Sequence, residues 1–434
     1  MRTKYVIGCA GLLMLISGII CVGGAIRLLR VPEVEIPPRK YPPNNAYEGY
    51  RILCARMHRD LKADRRFTEV EQRLFDTSAA SPVSAADRAY YMKRMAPYLQ
   101  EYKQYLDRPC VAVFEYDINW PFPELAQLRR LARAESLHIE EALRRGRAAA
   151  AVQRVRSLTR LTEQIRNDGT LIHHLVGIAI NAIATAPLRK ALPDLKDPDV
   201  LRAIVQVARD YEKHREPMLR AIQHEYYMGL SAYRDLATGR LSYEEIAMSN
   251  RDKATSSLSS KPVANRIMVN TALPEYHRLM KGIIEEYKKP SWKRSCAEPK
   301  PRHPLNAILL PVFSQAGLKE AQELATMRLL GCAAAIKLFK QRTGRYPATL
   351  EELQLGSMII DPYSGKPFIY RTDAAKGFLL YSVSKNRVDD GGWAPYGGGS
   401  TSNGDLTPVM QRLPESLRQK SSAQRPLAPP IWLR

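Results

Sequence analysis

The chain has 434 residues, of which 45% are hydrophobic and 25% charged, and a formal net charge of +22. Such length and apolar content exclude a chain too short or too polar to bury a core, and leave room for two or three domains. The positive excess implies attraction to anionic surfaces such as lipid head groups, nucleic acid or acidic glycans, but Lys and Arg are spread over many helix faces, as on a solvated basic surface.

Tyr5 to Ile26 carries no charged residue. As a helix rising about 1.5 Å per residue, it spans a hydrocarbon core of about 30 Å. It exceeds the apolar core of about 7–15 residues in a cleaved signal peptide. Residues 1–30 are therefore expected to be an uncleaved signal-anchor, with residues 5–26 as a single transmembrane helix in lipid. Arg2 and Lys4 before it nearly balance Arg27, Arg30, Arg39 and Lys40 after it, so the positive-inside rule does not orient it. Residues 31–45 form a linker. Pro32, Pro37, Pro38, Pro42 and Pro43 favour an extended, polyproline-like course that would hold the next domain off the membrane.

Residues 46–289 read as a helical domain, either an irregular bundle or an array of αα-hairpins. Ser81 and Ser84 can cap a helix reaching Leu106, kinked or broken near Pro97. Val111–Tyr116 is a candidate short strand, and a helix follows from Glu124 to Arg145. Ala148, Val152, Val155, Leu158, Leu161 and Ile165 recur at helical spacing, as do Leu171, Leu175, Ile178, Ala182 and Ile183. With Asp168-Gly169 as the turn, they predict an αα-hairpin whose second helix Pro187 interrupts. Val200 to Leu236 is a long helix kinked or broken near Pro217, Ser256–Ser260 a loop, and Pro274–Tyr287 a further helix. Residues 290–310 form a second linker, basic and Pro-rich. The helix Pro311–Arg342 then carries Leu318, Ala321, Ala325, Leu329, Cys332, Ile336 and Phe339 on one face, and Gly344 provides its C-cap. The tail, residues 411–434, is basic and Pro-rich and is expected to be disordered.

There are six cysteines. Cys9 and Cys21 fall in the apolar segment. Cys54, Cys110, Cys296 and Cys332 show no Cys-x-x-Cys spacing, which argues against zinc. Cys54–Cys110 is a candidate disulfide if the chain is exported. His173-His174 lacks a second ligand at helical spacing and reads as structural. His214, Glu216, His224 and Glu225 do not form His-Glu-x-x-His, and no Gly-x-Ser-x-Gly, P-loop or dinucleotide fingerprint is present.

From Thr343 onward the motifs are Gly344-Arg345-Tyr346-Pro347, then Asp361-Pro362 opening a hairpin of Pro367–Arg371 and Gly377–Val383, then an acidic loop at Asp389-Asp390-Gly391-Gly392. In this order they resemble the C-terminal globular domain of type II secretion major pseudopilins. The resemblance spans about residues 318–406 and assigns residues 311–410 to a pseudopilin-like domain of long helix plus small antiparallel sheet. It implies calcium in the acidic loop, with Asn386, Asp389, Asp390 and Asp405 at the ligand positions. Ser384 and Asn386 stand where that family usually has glycine and aspartate, and no glutamate-bearing processing signature follows Lys4.

The expected fold is mainly α with a C-terminal α+β domain. The expected function is that of a bacterial, membrane-anchored, non-enzymatic envelope protein related to type II secretion or pilus-like systems. Its bulk would lie on the periplasmic side of the inner membrane, among protein partners of the envelope and without nucleic acid. The alternative is a binding module whose helical domain recognises a peptide or glycan, capped by the pseudopilin-like domain.

Overall fold

The computed structural model describes residues 27–75, 83–243, 245–246, 262–295, 297–310, 312–396, 404–411, 414 and 425–434. The expected membrane segment 5–26, the cap at Ser81, the loop at 256–260, and Cys9, Cys21 and Cys296 lie outside these residues. Within them the fold is mainly helical with one small antiparallel sheet. In chain order the helices are α1 (Ala46–Lys62), α2 (Arg65–Phe75), α3 (Ala85–Glu101), α4 (Pro123–Arg144), α5 (Ala148–Arg166) and α6 (Leu171–Ala191). They continue with α7 (Pro198–His214), α8 (Leu219–Thr238), α9 (Pro262–Lys288), α10 (Pro304–Leu309) and α11 (Phe313–Thr343). Strands β1 (Ile369–Asp373) and β2 (Gly377–Tyr381) follow.

Local chemistry sets many of the helix ends. The side chains of Asn45, Ser84 and Asp197 accept first-turn N–H groups of α1, α3 and α7, which otherwise lack a partner. Gly344 closes α11 at φ 75°, a left-handed turn that glycine makes without Cβ strain. The hairpin of α5 and α6 forms as expected. The break near Pro217 also forms, between α7 and α8. Those expected at Pro97 and Pro187 do not: both prolines lie inside helices, and α9 runs through Pro274 from an earlier start. An interior proline costs about 3 kcal/mol. Burial of Tyr98 and Leu99 beside Pro97, and of Leu188 and Leu192 after Pro187, offsets it at about 1.5–3 kcal/mol per large side chain.

Val111–Tyr116 is not a strand. Its backbone partners are largely side chains instead, besides the Asn167 carbonyl that accepts the Ala112 N–H at 3.0 Å. Asn45 brackets Val111, donating to its carbonyl at 2.8 Å and accepting its N–H at 2.9 Å, Asn167 donates to the Cys110 carbonyl at 2.6 Å, and the Tyr41 hydroxyl donates to the Phe114 carbonyl at 3.1 Å.

The core does not divide at residues 290–310. One buried cluster joins α1–α7 to α11, the hairpin and Leu433; a second joins α8, α9 and α10 to the first turn of α11. Helix α11 packs along α7 and α6. The single apolar stripe expected on it is too narrow, because α11 is buried on nearly every side. Gly331 allows this approach, since a Cβ there would lie 2.6 Å from the Ala208 Cβ and 2.8 Å from the Met358 Cε.

The disorder expected for residues 411–434 does not reach the end of the tail. Leu433 exchanges both backbone hydrogen bonds with Phe378 at 2.8 Å, and Ala428 pairs with Ala394. Leu433 is 1% exposed, so its burial and the free edge of β2 that it covers hold this segment in place. Cys54, Cys110 and Cys332 are free, buried thiols, so the candidate Cys54–Cys110 disulfide is not formed. Burial pushes the thiols of Cys110 and Cys332 up to about 12.

Candidate functional site: an acidic loop on a helix held by buried charge

The motif residues after α11 meet around the hairpin. The Tyr346 ring lies 5.7 Å from that of Phe378, and the Tyr370 hydroxyl donates to the Pro347 carbonyl at 2.9 Å. Arg345 pairs with Glu352 at 2.8 Å. Strand register sets Tyr370 opposite Leu380. Asp361, buried, accepts the Tyr363 N–H at 2.9 Å, as its turn position requires. It also takes the Ser382 hydroxyl at 2.9 Å and the Val383 N–H at 3.1 Å, fastening the turn to the end of β2. Burial raises its pKa despite these three donors. The Pro362 carbonyl accepts the Ser291 hydroxyl at 2.6 Å, tying the second linker to the same turn.

Asn386, Asp389, Asp390 and Asp405 do share one loop, but at least one oxygen of each faces a protein donor. Asp389 Oδ1 accepts the Tyr381 hydroxyl at 2.8 Å and the Gly391 N–H at 2.9 Å, and its Oδ2 lies 3.3 Å from Arg371 Nη2. Asp390 Oδ2 accepts Asn386 Nδ2 at 2.8 Å and the Gly404 N–H at 2.9 Å. Asp405 Oδ2 accepts the Gly392 N–H at 2.7 Å, while its Oδ1 is buried without a hydrogen-bond partner. Burial, with Asp390 and Asp389 adding to it, lifts the Asp405 carboxyl to about 7. Calcium requires six to eight oxygens turned toward one point. Among the described residues, no three His, Cys, Asp or Glu side chains are so gathered. The described residues therefore do not assemble the expected calcium shell, and N–H groups of Gly391, Gly404 and Gly392 take carboxylate oxygens of Asp389, Asp390 and Asp405. Gly391 and Gly392 supply the left-handed turns at φ 71° and 88° that these bonds need.

Sequence reasoning missed the row of charge on α11 that joins this unit to the helical body. Glu323 accepts from Arg166 of α5 at 2.6 Å and from Asn181 of α6 at 2.9 Å. Glu320 takes Arg294 at 2.6 Å and the Met218 N–H at 3.0 Å. Arg328 forks onto Glu212 of α7 and donates to the Ile360 carbonyl at 2.7 Å. Lys337 donates to the carbonyls of Leu192 and Pro193, and burial lowers its pKa to about 8. From α6, buried Arg189 reaches the carbonyls of Thr407 and Pro408 beyond the acidic loop, and burial brings it down to about 10. Burial works against the charge on Arg166, yet Glu323 and Tyr211 beside it raise its pKa. The available signal was the count of charged residues within an otherwise apolar helix; their partners lie too far away in the chain to be read locally.

The first linker is also docked rather than free. Arg39 pairs with Asp168 at 3.0 Å, donates to the Ala112 carbonyl at 2.6 Å and lies 3.8 Å from the Phe114 ring centre. Asp168 also takes Arg220 at 2.8 Å and His224 at 2.9 Å. Burial opposes its charge, but these partners hold the carboxyl far below its usual range. Both ring nitrogens of His173 are engaged. Its Nδ1 accepts the Thr170 N–H at 3.2 Å, and its Nε2 meets the Tyr47 hydroxyl at 2.7 Å, which in turn donates to Glu124 at 2.8 Å.

Comparison with known proteins finds no matching family model, no matching curated protein and no matching solved structure.

Proposed function

We propose that this chain is a membrane-anchored, non-enzymatic component of a bacterial cell envelope, with an assembly or scaffold role related to type II secretion or pilus-like systems. The observation that carries the reading is the ordered series on one long helix: Gly344 cap, Tyr346-Pro347 plug, Asp361 turn, hairpin and Asp389–Gly392 loop. Its cellular setting is the inner membrane, crossed once by residues 5–26, with the remaining chain in the periplasm and envelope proteins as partners. A structural rather than catalytic role fits how the buried titratable groups are used: His173, Glu320, Glu323 and Arg328 each bridge separate helices. The enclosure of α11 by α7 and α6 favours a fixed accessory over a fibre subunit that packs through that helix.

The alternative, a peptide or glycan receptor, would use an apolar and aromatic groove between the helix pairs. One cleft, between α5 and α7, is instead lined by Arg154, Arg156, Arg160, Glu163 and Asp210, and these pair with acidic or basic neighbours. Cross-linking in native membranes followed by affinity purification tests the leading reading. Recovery of secretion or pilus-assembly components is expected. Recovery of none, from a chain shown to be folded and membrane-bound, refutes it.

A further inference from the structure

The exit from the apolar segment is bound to the start of α9. Asn270 Nδ2 donates to the carbonyls of Leu28 at 2.9 Å and Arg30 at 2.8 Å, and Arg266 reaches the Leu29 carbonyl at 3.4 Å. Residues 263, 266, 267 and 270 lie on one helix face by their spacing. Residues 27–31 therefore lie along the face that carries Val263 and Ile267. Both are exposed, at 55% and 41%, and beside them Leu29 and Val31 are exposed at 41% and 37%. Four large apolar side chains at the surface in one place call for a partner. Arg27, Arg30 and Arg266 border the patch.

The chain itself indicates what covers it. The uncharged run ends at Ile26, one residue before this patch begins. If that run crosses a bilayer, residues 27–31 emerge at head-group level, where exposed apolar side chains enter the acyl boundary and arginines meet anionic lipid. The hydrogen bonds to Asn270 carry Val263 and Ile267 to the same depth. Arg39 continues the attachment by fixing the linker to Asp168 and Ala112.

We infer that Leu29, Val31, Val263 and Ile267, with Arg27, Arg30 and Arg266, form a lipid-docking surface that holds the helical body against an anionic bilayer. This rests on the reading of residues 5–26 as an anchor. The first linker is then a clamp, and the body has a fixed face toward the membrane.

The test uses the full chain reconstituted into vesicles of phosphatidylcholine and phosphatidylglycerol. The photoreactive p-benzoylphenylalanine is placed at position 267, at position 263 in a second variant, and at exposed position 52 on α1 as the reference. Alkaline carbonate extraction of each sample reports separately on the anchor. Several-fold more lipid adduct at 267 and 263 than at 52, falling in vesicles of phosphatidylcholine alone, is the expected result. Lipid adducts no more frequent than at 52 overturn the docking surface, whether or not the chain resists extraction. Adducts to a second copy of the chain overturn it too. Lipid adducts on an extractable chain refute the anchor and keep the surface.

Discussion

Breaking the Arg166–Glu323 pair tests whether buried charge holds α11 to the helical body. The two side chains are each 4% exposed and meet at 2.6 Å. At an effective dielectric of about 20, that separation corresponds to a gross attraction of about 6 kcal/mol. Desolvation of the two ions cancels most of it, at several kcal/mol per ion after relaxation. The intact pair is thus close to neutral in net terms, whereas one partner left alone costs about 3–5 kcal/mol. Glu323→Gln leaves the Arg166 guanidinium buried without a counter-charge, and Arg166→Met does the reverse. Each is expected to lower the unfolding free energy by about 3–5 kcal/mol. The double variant Arg166→Met/Glu323→Leu should lose less than either single change, because it removes both charges together. Urea unfolding of the full chain, followed by circular dichroism, reads all three. Additive losses, or single variants within about 1 kcal/mol of the parent, would refute the reasoning. Gly177 provides an internal check. A Cβ there would overlap the Arg166 guanidinium, so Gly177→Ala should destabilise the parent and be tolerated in the Arg166→Met background.

Calcium titrated to millimolar concentration is expected to leave the thermal midpoint unchanged, since Asp389, Asp390 and Asp405 each spend an oxygen on a protein donor; a rise with metal would restore the calcium reading. Leu433→Asp should cost at least about 3 kcal/mol by placing a carboxylate where an apolar side chain is buried, and an unchanged melting curve would show the end of the chain to be dispensable. Burial lowers the pKa of His174 to about 3, below its ordinary value near 6.5. The fold holds this imidazole neutral while the unfolded chain protonates it. Its contribution is therefore complete above about pH 6.5 and is lost as pH falls toward 3. A His174→Gln chain should lose about 2–3 kcal/mol less than the parent between about pH 6.5 and 4.5; equal losses in urea midpoints across that window would contradict the assignment.

Much of the fold is legible in the sequence because it depends on near neighbours. The apolar spacing from Ala148 to Ile165 and from Leu171 to Ile183 marks α5 and α6, and Asp168-Gly169 marks their turn. Gly344 ends α11 where it is read to end. Asp361 closes its turn through the N–H two residues on. The candidate site is less legible. The acidic residues come together as their order suggests, but which oxygen meets which N–H depends on loop geometry that the order of residues does not specify.

By itself the sequence determined the α5–α6 hairpin, the caps at Ser84 and Gly344, the β-hairpin and the Asp361 turn. Each is encoded by periodicity or by side chains within a few residues of the backbone they serve. The tertiary structure alone decided that α11 belongs to the helical core and that the first linker and the end of the tail are docked. It also decided that six charged side chains on and around α11 are buried rather than solvated: Glu320, Glu323, Arg328, Lys337, Arg166 and Arg189. The physical reason is sequence separation. Arg166 meets Glu323 across 157 positions and Arg189 reaches Thr407 across 218. A buried charge is tolerable only when its partner is present, and folding alone brings partners that distant together.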